Sequence, residues 1–427
     1  MTLHSSENQQ LKGSPGPDKP LSSFWTESAF REALGESQPR MRALLTAEAE
    51  VKRRRGYFHT LREILQQPRT WLDTCARMIS HTAELHAVIA DIRSVVLTGS
   101  GTSEYAGDCV RQVLQKELGV SAQVISGGAL LMHGRGIFPP ERPGLMISLA
   151  RSGDSPESAA ALSQLLEGEA AIRHLVVTCN QRGTLAVSYA QDPRVRVIVL
   201  DESTDDRSLV MTSSLTNLVL AVRFLGLLDS AQTYQGICER LGEICWNLLL
   251  RNFDTLAGVS EKRFRRVAYL GNGPKQGAAR ESALKMLEMT AGRVPVICEN
   301  YLGLRHGPMS FISDDTLVVC FLSTDATLRA YEADLLAELT RKQLGLARII
   351  VGENIPGDLI QANDVAIETP GISEVGDDNA PVIDVVVGQL LAFNRCLAEG
   401  MRPDSPSVDG VISRVVESFT LHENRAR

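Results

Sequence analysis

The chain of 427 residues has few of the features that mark membrane, secreted or nucleic-acid-binding proteins. No apolar run approaches the roughly 20 residues of a membrane span, and residues 1–20 lack the basic-then-apolar pattern of a secretory signal. Positive charge is not in excess, since 44 Lys and Arg stand against 51 Asp and Glu. A protein that binds a nucleic-acid backbone normally has a basic face. The composition therefore argues against membrane and nucleic-acid partners.

The cysteines form no recognisable pattern. All eight are scattered singly, and no two have the Cys-x-x-Cys spacing of zinc sites and redox centres. This usage predicts a reduced, cytoplasmic protein with neither a metal site nor a disulfide framework. The length predicts two or three domains at roughly 150 residues each.

The chain repeats one pattern of strand-like apolar runs. The first four runs occupy residues 94–101, 144–153, 174–180 and 195–201, and the next four occupy 266–273, 316–323, 347–354 and 365–370. The offset between partners is nearly constant; Gly99 and Gly271, for example, are 172 positions apart. Each set ends in a long apolar helix candidate, at residues 214–228 and 382–400. The constant offset indicates a duplication.

The repeats predict the fold class and the domain boundaries. Strands that are apolar throughout and alternate with helices form parallel sheets covered on both faces. We therefore expect an α/β protein with two tandem flavodoxin-like domains. The expected segments are a flexible extension (1–40), a helical lead (41–90), the first domain (91–230), a helical linker (231–264), the second domain (265–400) and a tail (401–427).

The stretch LTGSGTSEYAG, residues 97–107, follows the first strand and has some likeness to a dinucleotide-binding loop. That fingerprint needs glycine at its first, third and sixth positions. Gly99 and Gly101 fit, but the sixth position is Glu104, whose side chain blocks close approach of a pyrophosphate. No nucleotide cofactor is therefore expected. What remains is a hydroxyl-rich turn at the start of a helix, with Ser100, Thr102 and Ser103.

Two more hydroxyl-rich turns occur in the first domain. RSGDSPES, residues 151–158, follows the second strand, and MTSS, residues 211–214, precedes the long closing helix. Ser155 has the position of a helix N-cap. Strand ends meet at one edge of a parallel sheet, so these hydroxyls and the free N–H groups of helix starts would converge on a phosphate. Ordinary helix caps are the alternative interpretation, and both stay open.

These three turns resemble the phosphosugar-binding cradle of the sugar isomerase (SIS) domain family. The resemblance implies phosphate contacts from Ser103, Ser152 and Ser155, with Gly101 and Thr102 shaping the first turn. Ala150 stands where many family members have a further serine, and Arg151 is a candidate to compensate for it. The full set implied for substrate binding is Gly101, Thr102, Ser103, Arg151, Ser152, Ser155 and Ser213.

The second domain has diverged from the first. Its opening turn, GNGPKQGAA, lacks the hydroxyl cluster, which predicts a decayed phosphate site. In the helix that follows, Glu281, Lys285 and Glu288 fall within an arc of about 60°. A solvated face with an i,i+4 ion pair is the alternative to a functional cluster. His306 lies in a glycine-flanked loop before the next strand, where a plain surface histidine is the alternative to a catalytic one.

ESALKMLEMT and LRHGP in this domain resemble the isomerase half of glucosamine-6-phosphate synthase. The resemblance implies that Glu288 is the base that moves a proton between carbons 1 and 2. It implies that His306 opens the sugar ring from a neighbouring subunit, and hence a homodimer or homotetramer, while Glu281 and Lys285 support the site. No glutaminase domain with an N-terminal nucleophilic cysteine precedes these domains, and the tail has no lysine where the synthase uses one.

The tail and the lead segment GYFHTLREILQQPRTW, residues 56–71, resemble the AgaS-type galactosamine-6-phosphate deaminase/isomerase group. The resemblance covers about residues 50–420 and implies an enzyme of amino-sugar metabolism. Its reaction would be isomerisation followed by hydrolysis of an imine, without metal or organic cofactor. Two alternatives stay open: a tagatose-6-phosphate ketose/aldose isomerase, and a non-catalytic sugar-phosphate sensor. The glutamate–histidine pair favours an enzyme, because a sensor has no need of a proton shuttle.

Overall fold

The computed structural model describes residues 27–34, 37–407, 409–417 and 419–422. Its first part is helical. The helices are α1 (Glu27–Ala33), α2 (Pro39–Thr46), α3 (Ala49–Arg55), α4 (Thr60–Leu65), α5 (Gln67–Ser80) and α6 (Thr82–Ile89).

The lead begins earlier than the predicted boundary at residue 41. Helix α1 lies inside the range predicted as a flexible extension, whose residues 1–26 fall outside the described part. Phe30 of α1 is buried and meets Trp246 edge-on, with ring centroids 4.4 Å apart. This aromatic contact attaches α1 to the core, so the prediction of a flexible extension is wrong for residues 27–34.

The first unit is a parallel sheet of five strands in the order β2-β1-β3-β4-β5. The strands are β1 (Ser94–Thr98), β2 (Ser121–Val124), β3 (Gly144–Ala150), β4 (Ile172–Thr178) and β5 (Val195–Val199). The helices are α7 (Thr102–Leu118), α8 (Gly127–His133), α9 (Pro156–Gly168), α10 (Thr184–Val187) and α11 (Ser213–Arg223). One long helix, α12 (Ala231–Ser260), then leads to the second unit.

The second unit repeats the same topology, with the order β7-β6-β8-β9-β10. The strands are β6 (Arg266–Leu270), β7 (Val296–Glu299), β8 (Thr316–Phe321), β9 (Ala347–Gly352) and β10 (Val365–Glu368). The helices are α13 (Pro274–Met289), α14 (Tyr301–Leu304), α15 (Ala326–Arg341), α16 (Ile372–Val375) and α17 (Pro381–Ala398). The predicted α/β class with two parallel, helix-covered sheets is confirmed.

All eight predicted strands are present, but the sequence prediction missed β2 and β7. Both are four-residue strands at an edge of their sheet, and both are largely half-buried or exposed. An edge strand is covered on fewer sides than a central one, so it needs no continuous apolar run. The sequences SAQV and VICE therefore carry no strong strand pattern.

Helices α7 and α11 of the first unit pack with α13 and α17 of the second. Gly277 of α13 permits close approach, because a Cβ there would lie 2.6 Å from the backbone nitrogen of Cys109 in α7. The segment Ser213–Ser260 and helix α17 are long and apolar enough to cross a membrane, but 72% and 83% of their apolar windows are buried. The expectation that no apolar run approaches a span therefore needs correction: α17 does, as a core helix.

In both sheets the second strand is added on one side of the first, and the later strands are added on its other side. In the first unit this switch point lies between β1 and β3, which pair in parallel from Ser94 and Gly144 onward. Ligands of open α/β sheets bind in the crevice beyond the carboxyl ends of such strands. The turns after β1 and β3 therefore define the place to look for a site.

Candidate active site

A cavity of about 960 Å³ opens at this switch point. The turns after β1 and β3 form one wall, and the C-terminal part of α13 from the second unit forms another. In the tail, Ser407 and most of residues 409–417 form a third. Among the predicted residues, those that line the cavity are Gly101, Thr102, Ser103, Arg151, Ser152, Ser155 and Glu288.

The turn after β1 brings backbone and hydroxyl groups close to the cavity. Gly101 has φ of 56°, a conformation that favours glycine. A Cβ at Gly99 would lie 2.7 Å from the carbonyl carbon of Ser103, so the turn also requires glycine there. Thr102 and Ser103 then begin α7, whose N-terminus carries the positive end of the helix dipole. This is an arrangement that binds anions.

The turn after β3 adds further hydroxyls. Ser155 is the N-cap residue of α9, but its side chain makes no capping hydrogen bond, so its hydroxyl is available to a ligand. The Ser152 hydroxyl accepts a hydrogen bond from the Asp154 N–H at 3.3 Å and remains free to donate. Ala150 lines the cavity at the position that lacks the family's further serine.

Arg151 lines the cavity, but its guanidinium is engaged with backbone carbonyls. Nη1 donates to the carbonyls of Ser208 and Leu209 at 3.2 and 2.9 Å, and Nη2 donates to that of Arg414 at 2.7 Å. Burial is the main cause that lowers the pKa of Arg151. These contacts give Arg151 a role in holding the tail, beside the predicted role of adding charge to the cradle.

Ser213 lies apart from the cavity. It is fully buried at the start of α11, its hydroxyl donates to Asp206 at 2.5 Å, and it accepts from Gln66 at 3.1 Å. Asp206 also accepts from the N–H groups of Thr212 and Ser214. The structure places Ser213 in this buried network and does not bring it together with Ser103 and Ser152.

The charged residues of α13 are not a solvated face. Glu281 and Lys285 are both fully buried, because α13 packs between α7 and α17. Lys285 Nζ forms ion pairs with Glu288 and, at 3.4 Å, with Glu281. It also donates to the Thr102 hydroxyl at 3.0 Å. The alternative of an exposed i,i+4 pair is therefore wrong, and Lys285 connects the predicted base to the first unit.

Burial sets the charges in this cluster. It raises the pKa of Glu281 to about 8, against the opposing attraction of Lys285. Burial alone would lower the pKa of Lys285, but the carboxylates of Glu281 and Glu288 outweigh it and raise that pKa above its ordinary value. Lys285 is therefore a fixed cation between a carboxyl that favours its neutral form and the partly exposed Glu288.

His306 is exposed on the loop after α14 and is not among the described residues that line the cavity. Asn300 caps the short helix α14 by accepting from the Gly303 N–H, and the His306 N–H donates to the Gly303 carbonyl. These bonds define the loop backbone, while the imidazole is left in solvent. Within one chain, the structure does not bring His306 together with Glu288.

The sequence prediction missed the part that the tail plays in the site. Arg414 donates to the Asp206 carbonyl at 3.0 Å and forms an ion pair with Asp205. Further back, Asp404 accepts from the Thr60 N–H at 2.8 Å. We call the contacts of Arg414 with Asp205, the Asp206 carbonyl and Arg151 the tail clasp. It holds residues 409–417 against the cavity.

Within the described ranges, no group of three or more His, Cys, Asp or Glu side chains is arranged to hold a metal ion. All eight cysteines are free thiols, and seven of them are buried.

Comparison with known proteins matches almost the whole chain. No family model matches it. Escherichia coli D-galactosamine-6-phosphate deaminase AgaS is 33% identical over 372 residues, which cover 85% of this chain and 95% of that protein. A Streptomyces coelicolor AgaS is 36% identical over 373 residues, with the same coverage of both chains. The chain belongs to the AgaS family.

Solved structures place this AgaS-family chain among the SIS proteins. Tagatose-6-phosphate ketose/aldose isomerase from Escherichia coli has a TM-score of 0.77 and 29% identity, covering 89% of this chain and 99% of that one. The C-terminal domain of the Francisella tularensis glucosamine-fructose-6-phosphate aminotransferase has a TM-score of 0.68 and 17% identity, covering 82% and 98%, and shows the shared fold. The predicted resemblance is confirmed, and family membership makes the chain an enzyme.

Proposed function

We propose that the chain is a galactosamine-6-phosphate deaminase that forms tagatose 6-phosphate and ammonia. One observation carries the proposal: the hydroxyl-rich turns of the first unit and Glu288 of the second line a single cavity. The names of the AgaS relatives supply the substrate. In this division the first unit (91–230) holds the phosphate, and the second (265–400) supplies the base.

The phosphate is held by groups that suit a monoester. Ser103, Ser152 and Ser155 donate hydroxyls, and the N-terminus of α7 directs free N–H groups and a positive dipole to the same place. Hydrogen bonds to a charged partner contribute about 1.5–3 kcal/mol each. The phosphate thus anchors the substrate and positions its carbons 1 and 2 relative to Glu288.

The reaction begins with ring opening and proton transfer. An imidazole has one nitrogen that donates a proton and one that accepts a proton, so His306 protonates the ring oxygen and accepts the proton of the carbon 1 hydroxyl, which breaks the bond from carbon 1 to the ring oxygen and releases the aldehyde. Glu288 then removes the carbon 2 proton, the C–H electron pair forms the carbon 1–carbon 2 double bond, and the carbonyl oxygen takes a proton from water to give an enaminol. Glu288 returns its proton to carbon 1, and loss of one N–H proton to water leaves an imine at carbon 2.

Water completes the reaction. It adds to the carbon 2 imine, the resulting carbinolamine expels ammonia, and a ketone remains. Carbon 1 is reduced from aldehyde to alcohol while carbon 2 is oxidised, so no external redox partner is required. An N-acetyl group would hold the nitrogen as an amide and hinder imine formation. We therefore propose the free amino sugar as the substrate.

Lys285 suits the base to this task. Its ammonium contacts the Glu288 carboxylate and holds it at the wall of the cavity. Its second contact, with the Thr102 hydroxyl, holds the ammonium at the edge of the phosphate turn. Glu281, whose pKa is raised to about 8 by burial, contacts the same ammonium at the longer distance of 3.4 Å.

We further propose that His306 enters the site from a second copy of the chain, in a cytoplasmic homodimer or homotetramer. Its exposure and its absence from the cavity of its own chain support this. Mixing inactive Glu288→Gln and His306→Ala proteins tests it, because a mixed oligomer regains one complete site. No recovery of activity, with subunit exchange demonstrated by a tag, contradicts the proposal.

A panel of three sugars tests the function. We expect the purified protein to release ammonia from galactosamine 6-phosphate, with glucosamine 6-phosphate as the stereochemical control. No ammonia from either amino sugar, with turnover of tagatose 6-phosphate, would favour a ketose/aldose isomerase, as the Escherichia coli structural relative is named. Binding without turnover of all three would favour a sugar-phosphate sensor.

A further inference from the structure

The second unit contains a copy of the turn that opens the phosphate cradle. Gly271 and Gly273 follow β6 as Gly99 and Gly101 follow β1, and the third-position glycines have φ of 54° and 56°. A Cβ at Gly271 would lie 2.6 Å from the carbonyl carbon of Lys275. The equivalent distance at Gly99 is 2.7 Å. The backbone of the cradle has therefore been retained after the duplication.

Hydroxyl donors also survive after β8. The β1–β3 pairing sets Thr98 against Ser148, and the β6–β8 pairing sets Leu270 against Cys320. Counting forward from these pairs makes Thr324 the equivalent of Ser152. Ser323 precedes it, so two adjacent hydroxyls and their N–H groups stand at the switch point of the second sheet.

Carboxylates of the same chain take these donors. The Thr324 N–H and hydroxyl both donate to Asp377 Oδ1, at 2.8 and 3.0 Å, and the Ser323 hydroxyl donates to Asp377 Oδ2. The Ser323 N–H donates to Glu332 at 2.8 Å. In the first unit the equivalent residues, Arg151 and Ser152, line an open cavity instead.

The cation of the turn after β6, Lys275, is also paired with a carboxylate of the same chain. Lys275 stands where the first unit has Ser103 and is 2% exposed. Its ammonium forms an ion pair with Asp384 of α17 at 2.8 Å. The turns after β6 and β8 thus have hydroxyl and N–H donors and a cation that suit an anion. Carboxylates of the same chain pair with these groups.

We propose that Asp377 occupies the second unit's anion site as an internal ligand. A carboxylate presents two oxygens to hydroxyl and N–H donors much as a phosphate presents its own. The wild-type chain then has one phosphate site, in the first unit, and the second site is closed by the loop that precedes α17. Removing the Asp377 carboxylate leaves the Ser323 hydroxyl and the Thr324 N–H and hydroxyl without their acceptor, which inorganic phosphate can replace.

The test measures binding of inorganic phosphate per chain, independently of activity, by equilibrium dialysis of the full chain. Wild type is expected to bind one phosphate and Asp377→Ala two. The control Asp377→Glu retains the carboxylate and stays at one. The double variant Ser152→Ala/Ser155→Ala weakens the first site. Adding Asp377→Ala to it is still expected to increase the bound phosphate by one per chain. The two backgrounds thus distinguish a first unit that does not bind phosphate from a failure of the proposal about Asp377.

Two phosphates on the wild-type chain, or no gain in a folded Asp377→Ala protein, would overturn the proposal. If Asp377→Ala does not fold, Asp377→Ser is the second variant, because it shortens the side chain and removes its charge. Phosphate is then expected to raise the melting temperature of Asp377→Ser more than that of wild type, and equal shifts would also overturn the proposal.

Discussion

Lys285 Nζ lies 3.0 Å from the Thr102 hydroxyl and, on its other side, contacts the Glu288 carboxylate. Thr102 is the first residue of α7 in the first unit, whereas Glu288 is near the end of α13 in the second. One buried ammonium thus connects the turn proposed to hold the phosphate with the proposed base. The relative position of the two units is therefore part of the site.

Replacing Lys285 by methionine removes that cation and leaves Glu281 and Glu288 without their shared partner. Because loss of one partner of a buried pair costs about 3–5 kcal/mol, we expect a lower melting temperature. We also expect a lower kcat, since the Glu288 carboxylate loses the ammonium that holds it at the cavity. Lys342→Met, which breaks an exposed pair with Glu338, is the matched control. An unchanged kcat in a folded Lys285→Met protein contradicts the role of Lys285.

Serine-to-alanine variants separate the cradle from its surroundings. Ser152→Ala is expected to raise KM by about tenfold or more, because a hydrogen bond to a charged phosphate contributes about 1.5–3 kcal/mol. Ser213→Ala is expected to leave KM unchanged and to lower the free energy of unfolding by about 1–3 kcal/mol, because it leaves Asp206 with one donor fewer. Steady-state kinetics and denaturant unfolding of both variants check this. A higher KM for Ser213→Ala would return that serine to the substrate site.

Loosening the tail clasp should affect binding more than chemistry. Arg414→Ala removes the ion pair with Asp205 and the contact with the Asp206 carbonyl. We expect a several-fold higher KM with a smaller change in kcat, since most of residues 409–417 line the cavity and the base is not among them. The control is Arg402→Ala, an exposed arginine of the tail outside that wall. Equal KM values for the two variants argue against a wall formed by the tail.

Stability is expected to fall as pH rises through the neutral range. Burial, and then Asp206, raise the pKa of Glu63 to about 8 from an ordinary 4.5, so the folded chain keeps a proton that the unfolded chain has lost. Between its unfolded and its folded pKa, each such group lowers the free energy of unfolding by about 1.4 kcal/mol per pH unit. Glu281 at about 8 and Glu332 at about 7 act in the same direction.

Thermal melts between about pH 5 and pH 8 check this pH dependence. The glutamine side chain of Glu63→Gln does not titrate in this range. The variant is therefore expected to reduce the dependence of the melting temperature on pH by the contribution of one group. A melting temperature that rises with pH over this window would contradict the direction of these shifts.

The sequence predicted the two parallel sheets because central strands are apolar on both faces and recur at a fixed offset. It did not decide between a solvated pair and a buried cluster for Glu281 and Lys285. That distinction depends on α7 and α17, which pack on either side of α13. Local spacing describes one helix and contains no information about its neighbours.

The tail clasp was equally inaccessible to sequence reasoning. Asp205 and Arg414 are 209 positions apart, and neither stands in a recognisable motif. Arg151 shows a related difficulty. It follows a strand among serines, where a phosphate contact is the natural expectation, yet its Nη atoms bind the carbonyls of Ser208, Leu209 and Arg414. Only the folded chain shows which partners an arginine reaches.

The most direct measurement compares wild type with Glu288→Gln, following both ammonia release from galactosamine 6-phosphate and binding of the same sugar. General-base catalysis contributes about 10²–10⁴-fold, so we expect ammonia release to fall by that factor while binding is retained. Retention is expected because the phosphate cradle belongs to the other unit. Undiminished ammonia release by Glu288→Gln would contradict a site in which the first unit holds the phosphate and Glu288 of the second moves the proton.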